Sequence, residues 1–491
     1  MSVPRMVAGM LIFLVAGEVL GSPVLDGGGP GVLISGQNEV EFSGSELGGP
    51  LQAWMSFPGK FTVLSNSNSR LKARVIVDGK KDAVGIGALR LGSSNGLSNL
   101  KLVVIDRWPA GAASLTNHSL AAAQEIRLPS VWEGRVEANQ SSYFRFRARR
   151  GDDVSFEIVA ARVGSSLDPL LRLLDASGRE IAYDDDFPGA GADSKLQVRI
   201  AATGIYFLEL RDTRYQSGNF ILRAAPFPVG RLPILSGDPV DLSPGLGRFE
   251  EVEPNNSLAT ATAVTLPARL QGLFARPRDR DLYRFEAAKG QRLVVTGRTR
   301  SLGSPCDLYL KILKADGTDL VEANPTSGDE GSLTNTFKEA GRYFLAVEEL
   351  NRRGGPEFRY EIEVTPVAGF SLVTEVDAVE VNPGAPFELK VAVLRRGYDG
   401  PIELSLTNDV FGLTVTNQVI ESKKTNGVLR GYAPPKVGTG RLEMLGLIGR
   451  AEIDGRQTLY RASTLPALKK FFPQMLYPPA ELDGVIAVGV K

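Results

Sequence analysis

Two short segments of the chain concentrate oxygen-bearing side chains: Glu251, Glu253, Asn255 and Asn256, and then Asp279 and Asp281. Calcium is a hard cation that takes roughly six to eight oxygen ligands, so carboxylates and amide carbonyls from two converging segments are the donor set it requires. Asp279 and Asp281 stand two apart and so share one face of a strand or of the turn before it. The other reading of the same residues is a solvated acidic linker beside a polar turn, since charged runs are mostly wet surface. A second acidic set, Asp168, Asp184, Asp185, Asp186 and Asp193, could converge at one loop end. It would there hold a cation or stabilise turns through side-chain-to-backbone hydrogen bonds, and the sequence leaves both open.

Catalysis finds little to work with. The single histidine, His118, has no Gly-x-Ser-x-Gly elbow to serve, and the single cysteine, Cys306, lies far from it in the chain. One His and one Cys cannot build a zinc site. No segment singles out a glycosidase carboxylate pair, and the early glycine run precedes a strand rather than a helix. Trp54, Trp108 and Trp132 read as core or boundary fillers more than as sugar platforms. The sequence therefore predicts a protein that is not an enzyme.

These residues must be positioned by many short strands. Hydrophobic residues make up 43% and charged residues 23% of 491 positions, a globular composition at a length that calls for several domains. Lys plus Arg and Asp plus Glu are equal at 56 each, so no net field favours nucleic acid as a partner. Gly at 54 and Pro at 30 suit tight turns between strands. Residues 1–21 read as a signal peptide, because an uncharged run from Met6 to Gly17 is too short to span a bilayer. No later segment reaches membrane-spanning length, so the expected location is secreted, periplasmic or cell-surface. A lone cysteine allows no internal disulfide, and Cys306 is expected to be a small buried residue.

An internal repeat organises the middle of the chain. Tyr143-Phe144-Arg145-Phe146 answers Leu282-Tyr283-Arg284-Phe285, Asp168-Pro169 answers Asp307-Leu308, and Gly204-Ile205-Tyr206-Phe207-Leu208 answers Gly341-Arg342-Tyr343-Phe344-Leu345. Alternation in Ser142 to Arg149 predicts Phe144 and Phe146 in the core. The first copy has Asn117 without the preceding glutamates, and Asn139 and Ser141 where the second has aspartates, so it is not expected to bind a cation there.

Both copies resemble the bacterial pre-peptidase C-terminal domain, on Glu251-Val252-Glu253-Pro254-Asn255-Asn256-Ser257, Asp279-Arg280-Asp281-Leu282-Tyr283 and the late Gly-x-Tyr. The resemblance implies a calcium-associated β-sandwich with an accessory role beside an enzyme. In related collagen-binding domains a Glu-x-Glu-Pro-Asn stretch and a downstream Asp pair hold calcium, which implies the same for Glu251, Glu253, Asn255, Asn256, Asp279 and Asp281. Gly36 to Gly44 resembles the opening strand of immunoglobulin-like domains of the IPT/TIG kind.

The expected architecture is all-β: residues 23–110 an immunoglobulin-like sandwich, 114–226 and 250–366 the two copies, 227–249 a Pro/Gly-rich linker, 367–464 a second immunoglobulin-like sandwich and 465–491 a tail. The expected function is non-catalytic binding or scaffolding on an extracellular protein or polysaccharide. The alternatives are an accessory subunit or remnant of a secreted hydrolase, or a carbohydrate-binding protein.

Overall fold

A computed structural model describes residues 21–491 apart from 27–30, 79–83, 188, 231, 234, 236–245, 324–329, 368, 417, 454, 474, 476–477 and 479–481. The signal peptide expected at 1–21 thus lies outside the described residues except for Gly21. The fold is nearly all-β, with a single α-helix, Leu465–Phe471, among the described residues. The period-two pattern is what builds it. In Ser142–Ala148, Phe144 and Phe146 point into the core and Arg145 and Arg147 into solvent.

The two middle stretches share one strand order. Residues 110–225 form a sheet of Ala110–Ala112, Ser130–Val136, Gly218–Ala225, Asp153–Val159 and Lys195–Arg199. Facing it is a sheet of Gln124–Glu125, Ser142–Ala148, Gly204–Asp212, Pro169–Leu174 and Glu180–Asp184. Residues 247–366 repeat this with Gly247–Glu250, Ala268–Leu273, Arg359–Pro366, Arg292–Arg298 and Ser332–Thr336. The second sheet there is Thr262–Ala263, Arg280–Ala287, Gly341–Glu349, Leu308–Leu313 and Asp319–Ala323. Each core is filled from both of its sheets.

The registers correct one expectation. Ala148 opposes Gly204, and Ala287 opposes Gly341. Counting back along the strands, Asp281 corresponds to Ser142 and Asp279 to Gln140, one residue later than the Asn139 and Ser141 expected from sequence. Asn139 instead matches Arg278. Both take a left-handed turn conformation, at φ 61° and 66°, and both donate their N–H across to a loop carbonyl, of Tyr215 and Arg352 respectively.

The flanking regions are also sheet pairs, but the chain does not run as units strung in a row. The tail expected to begin at 465 completes the C-terminal sandwich: Ile486–Val490 lies between Ala378–Val381, parallel to it, and Leu442–Leu445, antiparallel. The helix Leu465–Phe471 and the residues after it place Leu468, Phe472 and Met475 in one apolar cluster with Val32, Leu102, Trp108, Val159 and Ile221. Arg90 forms a buried ion pair with Asp377, and Leu97 packs on Leu442 and Ala487. The N-terminal and C-terminal regions are therefore in contact. The linker also differs from expectation where it is described. Val229 and Leu232 are buried, and Ile86 pairs with Pro233 and Leu235 through backbone hydrogen bonds of 2.8 Å.

Candidate metal centre

The second unit opens with a loop that returns Asn255 to the start of strand Arg280–Ala287, where the Leu282 N–H donates to the Asn255 carbonyl at 3.2 Å. This contact brings the two acidic segments together. Single carboxylate oxygens of Glu253, Asp279 and Asp281 lie within 4.8 Å of one another, the one group of three or more such donors among the described residues. Asn255 and Asp281 are fully buried and Asp279 nearly so, whereas Glu253 is exposed. The Oδ1 atoms of Asn255, Asp279 and Asp281 and the Nδ2 of Asn255 are buried without a hydrogen-bond partner. Buried polar atoms are almost always paired, so unpaired oxygens on three residues of these two segments form a set suited to a hard cation.

The surrounding bonds hold the other oxygen of each carboxylate. Asp279 Oδ2 accepts from the Ala275 N–H at 2.9 Å, and Glu253 Oε2 accepts from the Asn255 N–H at 2.9 Å. Asp281 Oδ2 accepts from the Tyr360 hydroxyl at 2.5 Å, and the Tyr360 and Tyr283 hydroxyls are 2.8 Å apart. Glu251 stands behind the group as a wall. Its Oε1 accepts from the Leu273 N–H at 2.8 Å, and its Oε2 lies 3.4 Å from the Tyr360 hydroxyl. Burial, and then the nearby charge of Glu251, pushes the Asp281 carboxyl up to about 8. Burial likewise raises Glu251, with Glu253 and Asp279 adding to the shift. Asn256 is exposed, as Glu253 is.

Sequence reasoning missed Tyr283, Tyr360 and Gly272. A Cβ at Gly272 would lie 2.2 Å from the Tyr360 hydroxyl and 2.8 Å from Glu251 Oε2, so this glycine leaves the room that the network fills. The signal was available in the repeat. At the matching places the first unit has Phe144 for Tyr283 and Phe220 for Tyr360.

The matching positions of the first unit carry no carboxylate. The Ala113 N–H donates to Glu133 O as that of Glu251 does to Gln271 O, so Ala113 stands for Glu251 and Leu115 for Glu253. Asn117 keeps its place, and its Nδ2 donates to Tyr143 O at 3.0 Å. The two ring nitrogens of His118 face Leu115 O at 2.8 Å and Ser141 O at 3.2 Å. One imidazole thereby spans the loop and the strand start.

The acidic residues singled out in the first unit have other duties. Asp193 is fully buried, and its carboxylate accepts from the N–H groups of Ala160 and Ala161 and from Arg162 Nε at 2.7 Å. Asp168 pairs with Arg214 at 2.8 Å, and Asp184 accepts from the Lys195 N–H at 2.8 Å. Asp185 is exposed, and these residues form no group of three within ligand reach among the described residues. In the second unit Glu330 does the work of Asp193, accepting from the N–H groups of Thr299 and Ser301. Cys306 is fully buried, and burial raises its thiol pKa. Trp108 lies in an inter-domain apolar cluster against which Trp54 packs, and Trp132 packs against the core of the first unit.

Residues 247–366 are thus a two-sheet sandwich with an oxygen-lined opening at the start of strand Arg280–Ala287. Residues 279–349 match the bacterial pre-peptidase C-terminal domain, so one such domain is present there. A probable subtilase-type serine protease of Deinococcus radiodurans is 41% identical over 69 residues, which is 14% of this chain and 9% of that protein. The chain thus spans about a tenth of the curated relative it matches. Among solved structures, the pre-peptidase C-terminal domain of a Bacillus anthracis collagenase aligns over 21% of this chain and 93% of its own, at 15% identity and a TM-score of 0.18. An endo-fucoidan hydrolase of glycoside hydrolase family 107 aligns over 96% of this chain and 44% of its own, at 9% identity and a TM-score of 0.14.

Proposed function

We propose that the second unit holds one calcium ion between Glu253, Asn255, Asp279 and Asp281, and that the protein is an exported, non-catalytic binding or scaffolding protein. The observation that carries this reading is the set of three buried, unpaired oxygens on Asn255, Asp279 and Asp281 next to the exposed carboxylate of Glu253. A divalent cation bound there supplies the positive charge that these acids lack. It ties the 250–256 segment to the sheet, so metal binding becomes folding free energy of the opening. In this reading residues 114–226 are a second, cation-independent copy of the same domain, and the flanking sandwiches are immunoglobulin-like. Together they present surfaces to a polymeric or cell-surface ligand.

Titrating calcium into chelator-treated protein in a calorimeter tests it. Saturation near one ion per chain and a higher unfolding midpoint are expected, while no heat and an unchanged midpoint would refute the metal. A second reading, an accessory part of a secreted peptidase, is favoured by the match to a subtilase-type protease. No helix among the described residues is long and apolar enough to cross a membrane, which is compatible with either.

A further inference from the structure

A cleft of about 310 Å³ opens where the second unit meets the C-terminal sandwich, lined by Arg298, Glu363, Ser371, Arg396, Tyr460 and Asp483 among others. Most of its charges already have partners. Arg298 lies 3.4 Å from Glu361 and 3.8 Å from Glu363, and Glu363 also pairs with Arg269 at 2.8 Å. Asp483 accepts from the Ser463 hydroxyl at 2.9 Å and the Thr464 N–H at 2.6 Å.

Arg396 and Tyr460 differ. The Arg396 guanidinium donates to Ser371 Oγ at 3.1 Å and has no carboxylate within ion-pair distance among the described residues. The Tyr460 ring is packed on Phe370, with centroids 4.8 Å apart. Its hydroxyl overhangs Gly369, where a Cβ would come within 2.9 Å, and makes no hydrogen bond among the described residues. Burial raises the phenol, Arg396 lowers it and Glu363 raises it further, so these three groups face one space.

We propose that this cleft binds a small organic carboxylate of about monosaccharide size, held by Arg396 with the hydroxyls of Tyr460 and Ser371. A planar guanidinium fork flanked by hydroxyl donors matches a carboxylate, and the volume is at the small end of ligand sites, which favour domain boundaries. Arg396, without a carboxylate partner among the described residues, supplies the positive charge that draws an anion into the cleft. The site is independent of the calcium reading.

The test is a calorimetric titration of the full chain with glucuronate and with acetate, and with glucose and inorganic phosphate as controls. Saturable binding of glucuronate, with glucose and phosphate at least about tenfold weaker, is expected. Arg396→Met should lose about tenfold or more and Tyr460→Phe about threefold or more. Arg396 is exposed and the Phe variant keeps the ring packing, so both variants should keep the parent unfolding midpoint. The proposal is overturned by the absence of a saturable response to both carboxylates, by glucose binding as well as glucuronate, or by binding that ignores both variants.

Discussion

The two middle units share ten strands and one sheet order, yet their openings obey different chemistry. In the second, Glu251, Glu253, Asp279, Asp281, Tyr283 and Tyr360 surround Asn255. In the first, Ala113, Leu115, Gln140, Ser142, Phe144 and Phe220 stand at the matching positions. The scaffold therefore does not need the acids in order to form. What the acids add is a buried, like-charged cluster that costs stability unless something positive compensates it. The first unit joins the same two segments without carboxylates, through Asn117 Nδ2 on Tyr143 O and the His118 ring between Leu115 O and Ser141 O.

The largest expected effect comes from making the second opening like the first. Asp281→Ser should weaken calcium binding at least about a hundredfold, while raising the unfolding midpoint of the metal-free protein above that of the parent at pH 8. Calorimetry and thermal melts in chelator would read both, and retained affinity would break the comparison.

Next comes pH. The Asp281 carboxyl is pushed up to about 8 from its ordinary 3.8, so the metal-free unfolded state ionises first. Stability from this group is then fully present below about pH 4 and is lost as pH rises through about 8. Calcium competes with that proton, so the midpoint gain on adding calcium should grow across the same window. A gain independent of pH would contradict the burial of Asp281.

Tyr360→Phe, the residue found in the first unit, should lower calcium affinity by about tenfold, because it removes the hydroxyl that orients Asp281. The smallest effect is expected from His118→Ala. It should cost about 1 kcal/mol of stability and raise amide exchange at Leu115 to His118, with the calcium titration unchanged.

The legible part of all this was what strand alternation and repetition encode. Phe144 and Phe146, the sheet-forming runs and the donor segments of the second unit all follow from side-chain period and residue type. The tyrosine network was not legible one copy at a time, because Tyr360 reads as one more core aromatic until its register against Gly272 is known. The second acidic set was left open between a cation and turn stabilisation, because the bonds of Asp193 to backbone N–H groups and to Arg162 join residues more than thirty positions apart. The tail strand looked unpartnered because both of its neighbours lie far back in the chain, at Ala378–Val381 and Leu442–Leu445.

The most direct test of the central claim is anomalous diffraction from crystals of the full chain soaked in manganese or calcium. A single strong peak enclosed by Glu253, Asn255, Asp279 and Asp281, with none beside Asp168 or Asp184, is predicted. A peak in the first unit, or no density within ligand distance of Asp281, would contradict it.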